Sequence, residues 1–220
     1  MKQILLHSLR FAIIGFLFAS CEKDFKAEAP KVNPSFVEGF DVFNELPGKG
    51  WVFTNNSSPI GIATWFQGTS DFNAQSSNLS PNSYAAVNYN SVSDVGTISN
   101  WMFSPAVEMK NGDQVIFYTR AFSSRFPERL QVRVNPYNEG VNIGNTATSV
   151  GDFNVLLRDI NPTYLGTGFP VGWTKYVIPL SGFSGAGKRR FAFRYFVENG
   201  GPNGANSNYI GVDSVAFISK

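Results

Sequence analysis

The sequence predicts an all-β protein built from two packed antiparallel sheets, and three observations carry that expectation. Short stretches alternate apolar and polar residues with a period of two, the spacing at which strand side chains point to opposite faces. Leu130, Val132 and Val134 set against Arg129, Gln131 and Arg133 are the clearest case. The 220 residues include 21 Phe, 21 Gly and 12 Pro, with charged residues at only 15%, a balance that suits strands and turns better than helices. After Phe36 no amphipathic helical stretch of useful length occurs.

Residues 1–20 read as a secretory signal: Lys2 and Arg10 give basic character, Phe11 to Phe18 is apolar, and the small Ala19 and Ser20 precede Cys21. Residues 21–35, ending "EKDFKAEAPKVNPS", carry charges and two prolines without an apolar period, and read as a flexible tether. Residues 36–220 then form one sandwich domain. Its expected strands are 36–43, 51–54, 62–67, 84–90, 101–108, 113–122, 129–134, 173–180, 189–197 and 208–218, separated by clusters of Gly, Asn, Ser and Pro. The run 113–122 is apolar on both faces, as in a central strand. Ser104-Pro105 interrupts the apolar run 100–108, and proline lacks the N–H a ladder needs, so a sheet corner is expected there.

Several chemistries are excluded on composition. The chain has 18 Lys+Arg against 16 Asp+Glu; Lys2 and Arg10 leave with the signal and no acid does, so the mature balance is 16 against 16. A neutral protein makes no electrostatic case for nucleic acid. The one histidine, His7, lies in the signal, and Cys21 is the only cysteine. A Ser-His-Asp triad, a Cys-His pair, the usual zinc sites and an intramolecular disulfide are therefore out of reach. Carboxylate catalysis would need a pair among Glu128, Glu139, Asp152, Asp159 and Glu198, and no spacing suggests one. The expectation is a non-enzyme.

Two resemblances sharpen this reading. The stretch Phe18-Ala19-Ser20-Cys21 resembles the lipobox of bacterial lipoproteins, although Phe18 stands where leucine is preferred. It implies a lipid on Cys21 that tethers the protein to a membrane surface without a spanning helix. The segments "VEGFD…LPGKGW" (37–51), "ATWFQG" (63–68), "SNWMFSPAVEM" (99–109), "PERLQVRV" (127–134), "GWTKYVIPLSGFSG" (172–185), "RRFAFRYF" (189–196) and "NYIGVDSVAF" (208–217) occur in the order found in one family. They resemble the cleaved-adhesin domains of gingipain-type proteins and the wider choice-of-anchor J modules. That resemblance implies a MAM-like, galactose-binding-like jelly-roll sandwich, with Trp101 anchoring the core, Pro105 leaving one ladder and Val107 re-entering another.

It also implies a structural calcium ion. The matching carboxylates are Glu38 and Asp41 near the first strand and Asp213 in the last, to be completed by backbone carbonyls, since calcium takes six to eight oxygens. The alternative for Asp213 is pairing with Arg190 or Arg194. Trp51, Trp65, Trp101 and Trp173 are expected in the core, Trp65 least securely. Candidate ligand contacts are Trp65, Tyr137 and Asn138 in the loop 135–140, and Asn203, Asn206 and Asn208 in the loop 198–209. Aromatic rings beside amides suit sugar hydroxyls. The expected function is a lipid-anchored, non-catalytic adhesion or carbohydrate-binding module on the outer membrane or surface of a Gram-negative bacterium, with a glycan or surface-protein ligand. A carboxylate polysaccharide enzyme and an accessory subunit for another surface protein are the alternatives.

Overall fold

The computed structural model describes residues 35–76 and 80–220. The signal, Cys21 and all of the tether but Ser35 lie outside the described residues. In chain order the strands are β1 (Phe36–Glu38), β2 (Val52–Asn55), β3 (Ser58–Ile60), β4 (Phe66–Gln67), β5 (Ala85–Asn88), β6 (Val92–Phe103), β7 (Val107–Met109), β8 (Gln114–Ala121), β9 (Leu130–Val134), β10 (Val155–Ile160), β11 (Thr174–Pro179), β12 (Gly187–Arg189), β13 (Phe191–Gly200) and β14 (Tyr209–Ile218). One sheet runs β11-β8-β14-β5-β4 with β1 added to β14; the other runs β10-β9-β13-β6-β2 with β3 added to β6. All pairings between these strands are antiparallel. Among the described residues no helix is long and apolar enough to cross a membrane.

The period-2 pattern decides which faces meet. Val115, Phe117 and Ala121 of β8 and Ile210 and Val212 of β14 point between the sheets, against Leu130 and Val132 of β9 and Phe191, Phe193 and Tyr195 of β13. Phe117 and Phe193 meet edge-on across the gap at 4.9 Å. Each fully buried Phe, Leu or Val contributes about 1.5–3 kcal/mol of transfer free energy, so this layer dominates stability.

Loops cover the outward faces as well, which explains why several strands are apolar on both sides. On the β6–β13 sheet, Trp101 and Phe103 stack at 5.7 Å beneath Phe153 and Ile143 of the loop after β9. Trp101 is fully buried, yet it belongs to this outer cluster and not to the space between the sheets, where the register places Met102. On the other sheet, Phe72 and Trp173 lie over Tyr84 and Tyr209.

Ser104-Pro105 is the expected corner. Strand β6 ends at Phe103, Ser104 N–H still donates to Phe191 O at 2.9 Å, and β7 resumes at Val107 against β12. The missing proline N–H falls between two ladders. Other expectations shift. Residues 36–43 hold only the short β1, because the chain turns at Phe40 (φ 55) into a 3-10 turn over Phe43–Lys49. Strand β10 was not foreseen: a register shift between Leu156 and Arg158 breaks its alternation.

Candidate functional site

Four strand ends meet along one rim of the β8–β14 sheet. Tyr209 pairs with Asn88, Ile210 with Ala121, and Phe66 with Ala86, which brings the start of β14, the end of β5, the end of β8 and the start of β4 together. Alternation then sends Phe66, Asn88, Phe122 and Tyr209 to the outward side, since Val87, Ala121 and Ile210 face the core. The result is a cleft of about 320 Å³. Thr69, Asp71, Tyr89 and Asn208 complete its lining.

The floor is rigid. The Tyr209 hydroxyl sits 3.0 Å from both the Tyr84 hydroxyl and Thr69 Oγ1, and Tyr84 donates onward to Thr69 O at 2.8 Å. Burial pushes the Tyr209 phenol well above its ordinary range, so it stays neutral. The Thr69 hydroxyl bonds the Asp71 carboxylate, and Phe66 meets Tyr209 edge-on at 6.0 Å.

The walls are open for contact. Phe122 is 48% exposed. Asn88 Oδ1 accepts the Asn90 N–H at 3.0 Å, which leaves its Nδ2 without a partner among the described residues. The side-chain amide of Asn208 and the hydroxyl of Tyr89 also lack one there. An exposed ring beside unpaired amides matches a ligand with a C–H face and a hydroxyl edge. Asp71 is the single charged side chain among the lining residues.

The side chains of the other candidate carboxylates do not line the cleft, and each has its own partners. Glu128 is buried and accepts from Tyr195 Oη; Asp159 takes a two-pronged contact from Arg129, whose Nη1 also reaches Glu198; Glu139 pairs with Lys188; and Asp152 accepts from Asn142.

The residues expected to contact ligand do not all come together at this cleft. Only Asn208 lines the cleft. Trp65 is buried, its Nε1–H donating to Asn100 O at 3.2 Å, so it presents no face to a ligand. Trp173, not Trp65, is the least buried of the four tryptophans; Trp51 and Trp101 are buried as expected. Asn203 donates to Asp94 of β6 and Asn206 to Glu198 O, which uses both to hold their loop in place. Tyr137 and Asn138 lie beyond the far end of β9, where Asn138 Oδ1 accepts from Gly140 N and Asn135 Nδ2.

The carboxylates expected to hold calcium do not fit it as a set. Among the described residues no three acidic side chains converge. Glu38 accepts the Phe40 N–H at 2.9 Å and pairs with Lys49 at 3.2 Å, while Asp41 is exposed. Asp213 accepts N–H groups of Gln75 at 2.7 Å and Ser214 at 2.5 Å; it does not meet Arg190 or Arg194. The nearby carbonyls of Phe40 and Asn82, natural calcium ligands, are both bound by the side-chain amide of Gln67. Gln67 Oε1 accepts from Phe43 N–H, which fixes that orientation. N–H donors stand where oxygens would be needed. A chelator is accordingly expected to leave the thermal midpoint of unfolding within about 1 °C of its value in millimolar calcium; a fall of several degrees would contradict this reading.

With fold and cleft in view, comparison with solved structures is informative. The chain has the fold of the cleaved adhesin domains. The K1 and K3 cleaved adhesin domains of Lys-gingipain from Porphyromonas gingivalis superpose with TM-scores of 0.55 and 0.51 at 20% and 18% identity. The K2 cleaved adhesin domain of Lys-gingipain gives 0.54 at 16%. Each alignment covers 84% of this chain and 98% of the other. No family model matches the sequence, and no curated protein matches it.

Proposed function

We propose that the chain is a non-catalytic adhesion module that binds a neutral glycan in the cleft between Phe122 and Asn208. The observation that carries this reading is the cleft itself, an exposed ring and a hydroxyl-bearing ring flanked by amide groups with unused hydrogen-bonding capacity. The fold supports it through the adhesin domains it resembles. The lipobox-like Cys21 would hold the module at the surface of a Gram-negative bacterium, with residues 22–35 setting its reach.

The test is titration of the fragment Glu22–Lys220 with gluco-, manno-, galacto- and xylo-configured oligosaccharides, with released reducing sugar assayed in the same samples. Binding without product is expected. Phe122→Ala and Tyr89→Ala should each weaken binding about tenfold, the loss of one stacking contact of roughly 1–1.5 kcal/mol, without lowering stability by more than about 0.5 kcal/mol. Product release abolished by Asp71→Asn would replace this reading with the enzyme.

A further inference from the structure

Glu128 is the one fully buried carboxylate that touches the cleft's backbone. Its Oε1 accepts the N–H groups of Asn208 and Tyr209, each at 2.8 Å, and its Oε2 accepts the Tyr195 hydroxyl at 2.5 Å. The neighbouring Ser207 N–H donates to Pro127 O at 2.9 Å, so three consecutive residues hang on the segment around Glu128. That same segment begins at Phe122, whose N–H donates to Tyr209 O at 2.9 Å. The Phe122 wall is thus tied by its own backbone bond to the wall that the Glu128 carboxylate holds. The wall at 207–209 needs that hold, because Ser207 sits at φ 72, a left-handed backbone that a non-glycine residue adopts only when its surroundings hold it there.

We propose that Glu128 is the positioning residue of the cleft, holding the 207–209 wall in place through one buried carboxylate, and that a proton on that carboxylate tightens this wall. This rests on the cleft being the binding site. The titratable group facing Glu128 is Tyr195 from β13; Arg129, next in the chain, spends its guanidinium on Asp159 and Glu198. No cation pins the carboxylate in its charged form, and burial, opposed by the bonds from Tyr195, Asn208 and Tyr209, pushes it up to about 7. Opening the wall to water would return it toward an ordinary carboxylate value. The closed cleft thus binds a proton that the open one releases, and acidification favours closure.

Hydrogen exchange on the mature chain tests this without any ligand. After correction for intrinsic rates, protection of the Asn208 and Tyr209 amides should rise about tenfold from pH 8 to pH 5.5. The amides of Glu108 and Lys188, in the β7–β12 ribbon, should not change. Glu128→Gln keeps a neutral acceptor, so its protection should be independent of pH at the acid-side level. Glu128→Asp, one methylene shorter, should lower protection at both pH values. Wild-type protection that ignores pH, or a Gln variant that follows the wild-type profile, would overturn the proposal. Failure to bind any glycan would sink the binding reading and leave this result standing.

Discussion

Arg194→Ala is expected to destabilise the fold by about 3–5 kcal/mol in urea unfolding, the range for truncating a large buried side chain that leaves a cavity and unpaired carbonyls. Arg194 is 1% exposed, with its guanidinium carbon 4.8 Å from the Trp101 ring and 3.9 Å from Phe196. Its nitrogens donate to Ser99 Oγ at 3.0 Å, Gln131 Oε1 at 3.3 Å and Ala147 O at 2.6 Å, with Ser149 O at 3.3 Å. No carboxylate bonds it; two aromatic rings and a set of oxygens replace the hydration it loses. Burial, with repulsion from Arg133 and Arg129, pulls its ionisation below the usual arginine range.

Truncation would leave a cavity and orphan two carbonyls of the loop that covers Trp101, so proteolysis in 141–153 should accelerate in parallel. Arg194→Lys should recover little, because an ammonium cannot present a planar fork to both sides. Arg194→Met, which fills the slot without a charge to desolvate, should cost less than Arg194→Ala. If lysine and alanine variants both stay within 1 kcal/mol of wild type, on the order of an exposed contact, the guanidinium is not the pin described.

Glu128→Ala should cost about 3 kcal/mol at pH 8, since it strands two buried N–H groups and the Tyr195 hydroxyl. Glu128→Gln should lose far less. The wild-type pH dependence follows from the same residue together with Asp213, which burial, opposed by bonds from Gln75 and Ser214, pushes up to about 6. Both folded-state values lie above the unfolded ones, so between about pH 4 and 7 the folded chain holds more protons. Stability should therefore fall as pH rises through that window, by a few kcal/mol in total. Asp113 acts the other way: burial would raise it, but hydrogen bonds from Lys110 and Lys220 hold it below the ordinary range, and its contribution is lost below about pH 4. Chemical denaturation from pH 4 to 8 should show a flattened profile in Glu128→Gln. An unchanged slope in that variant would assign the titration to another group.

The strands that carry the core were legible because their chemistry is local. Leu130, Val132 and Val134 alternate without interruption, and the apolar runs of β8, β13 and β14 are bounded by glycine and asparagine. The corner at Pro105 could be read from one missing donor. What stayed hidden depends on distant partners. The outer cluster needs Phe72 and Trp173, separated by 101 positions, to meet over Tyr84 and Tyr209. Glu128 could be noticed only as one carboxylate among several; its acceptor role is set by N–H groups 80 and 81 residues further on.

The cleft was the least legible feature, because its residues come from four strand ends. Asn208 was within the loop singled out for its amides, while Phe122 carried a usable signal: a large aromatic at the end of an apolar run, immediately before Ser123-Ser124. The surroundings of the expected calcium carboxylates were hidden for a similar reason. The carboxylates were visible in the sequence, but the donors on Glu38 and Asp213, from Lys49 and Gln75, and the Gln67 amide on the Phe40 and Asn82 carbonyls were not.

The most direct test of the binding cleft is a two-dimensional NMR titration of the fragment Glu22–Lys220 with the neutral oligosaccharides above. Shifts concentrated at the side-chain amides of Asn88 and Asn208 and at the backbone of Phe122 and Tyr209, with residues 135–140 unmoved, are the predicted result. Shifts confined to 135–140, or none with any sugar, would contradict it.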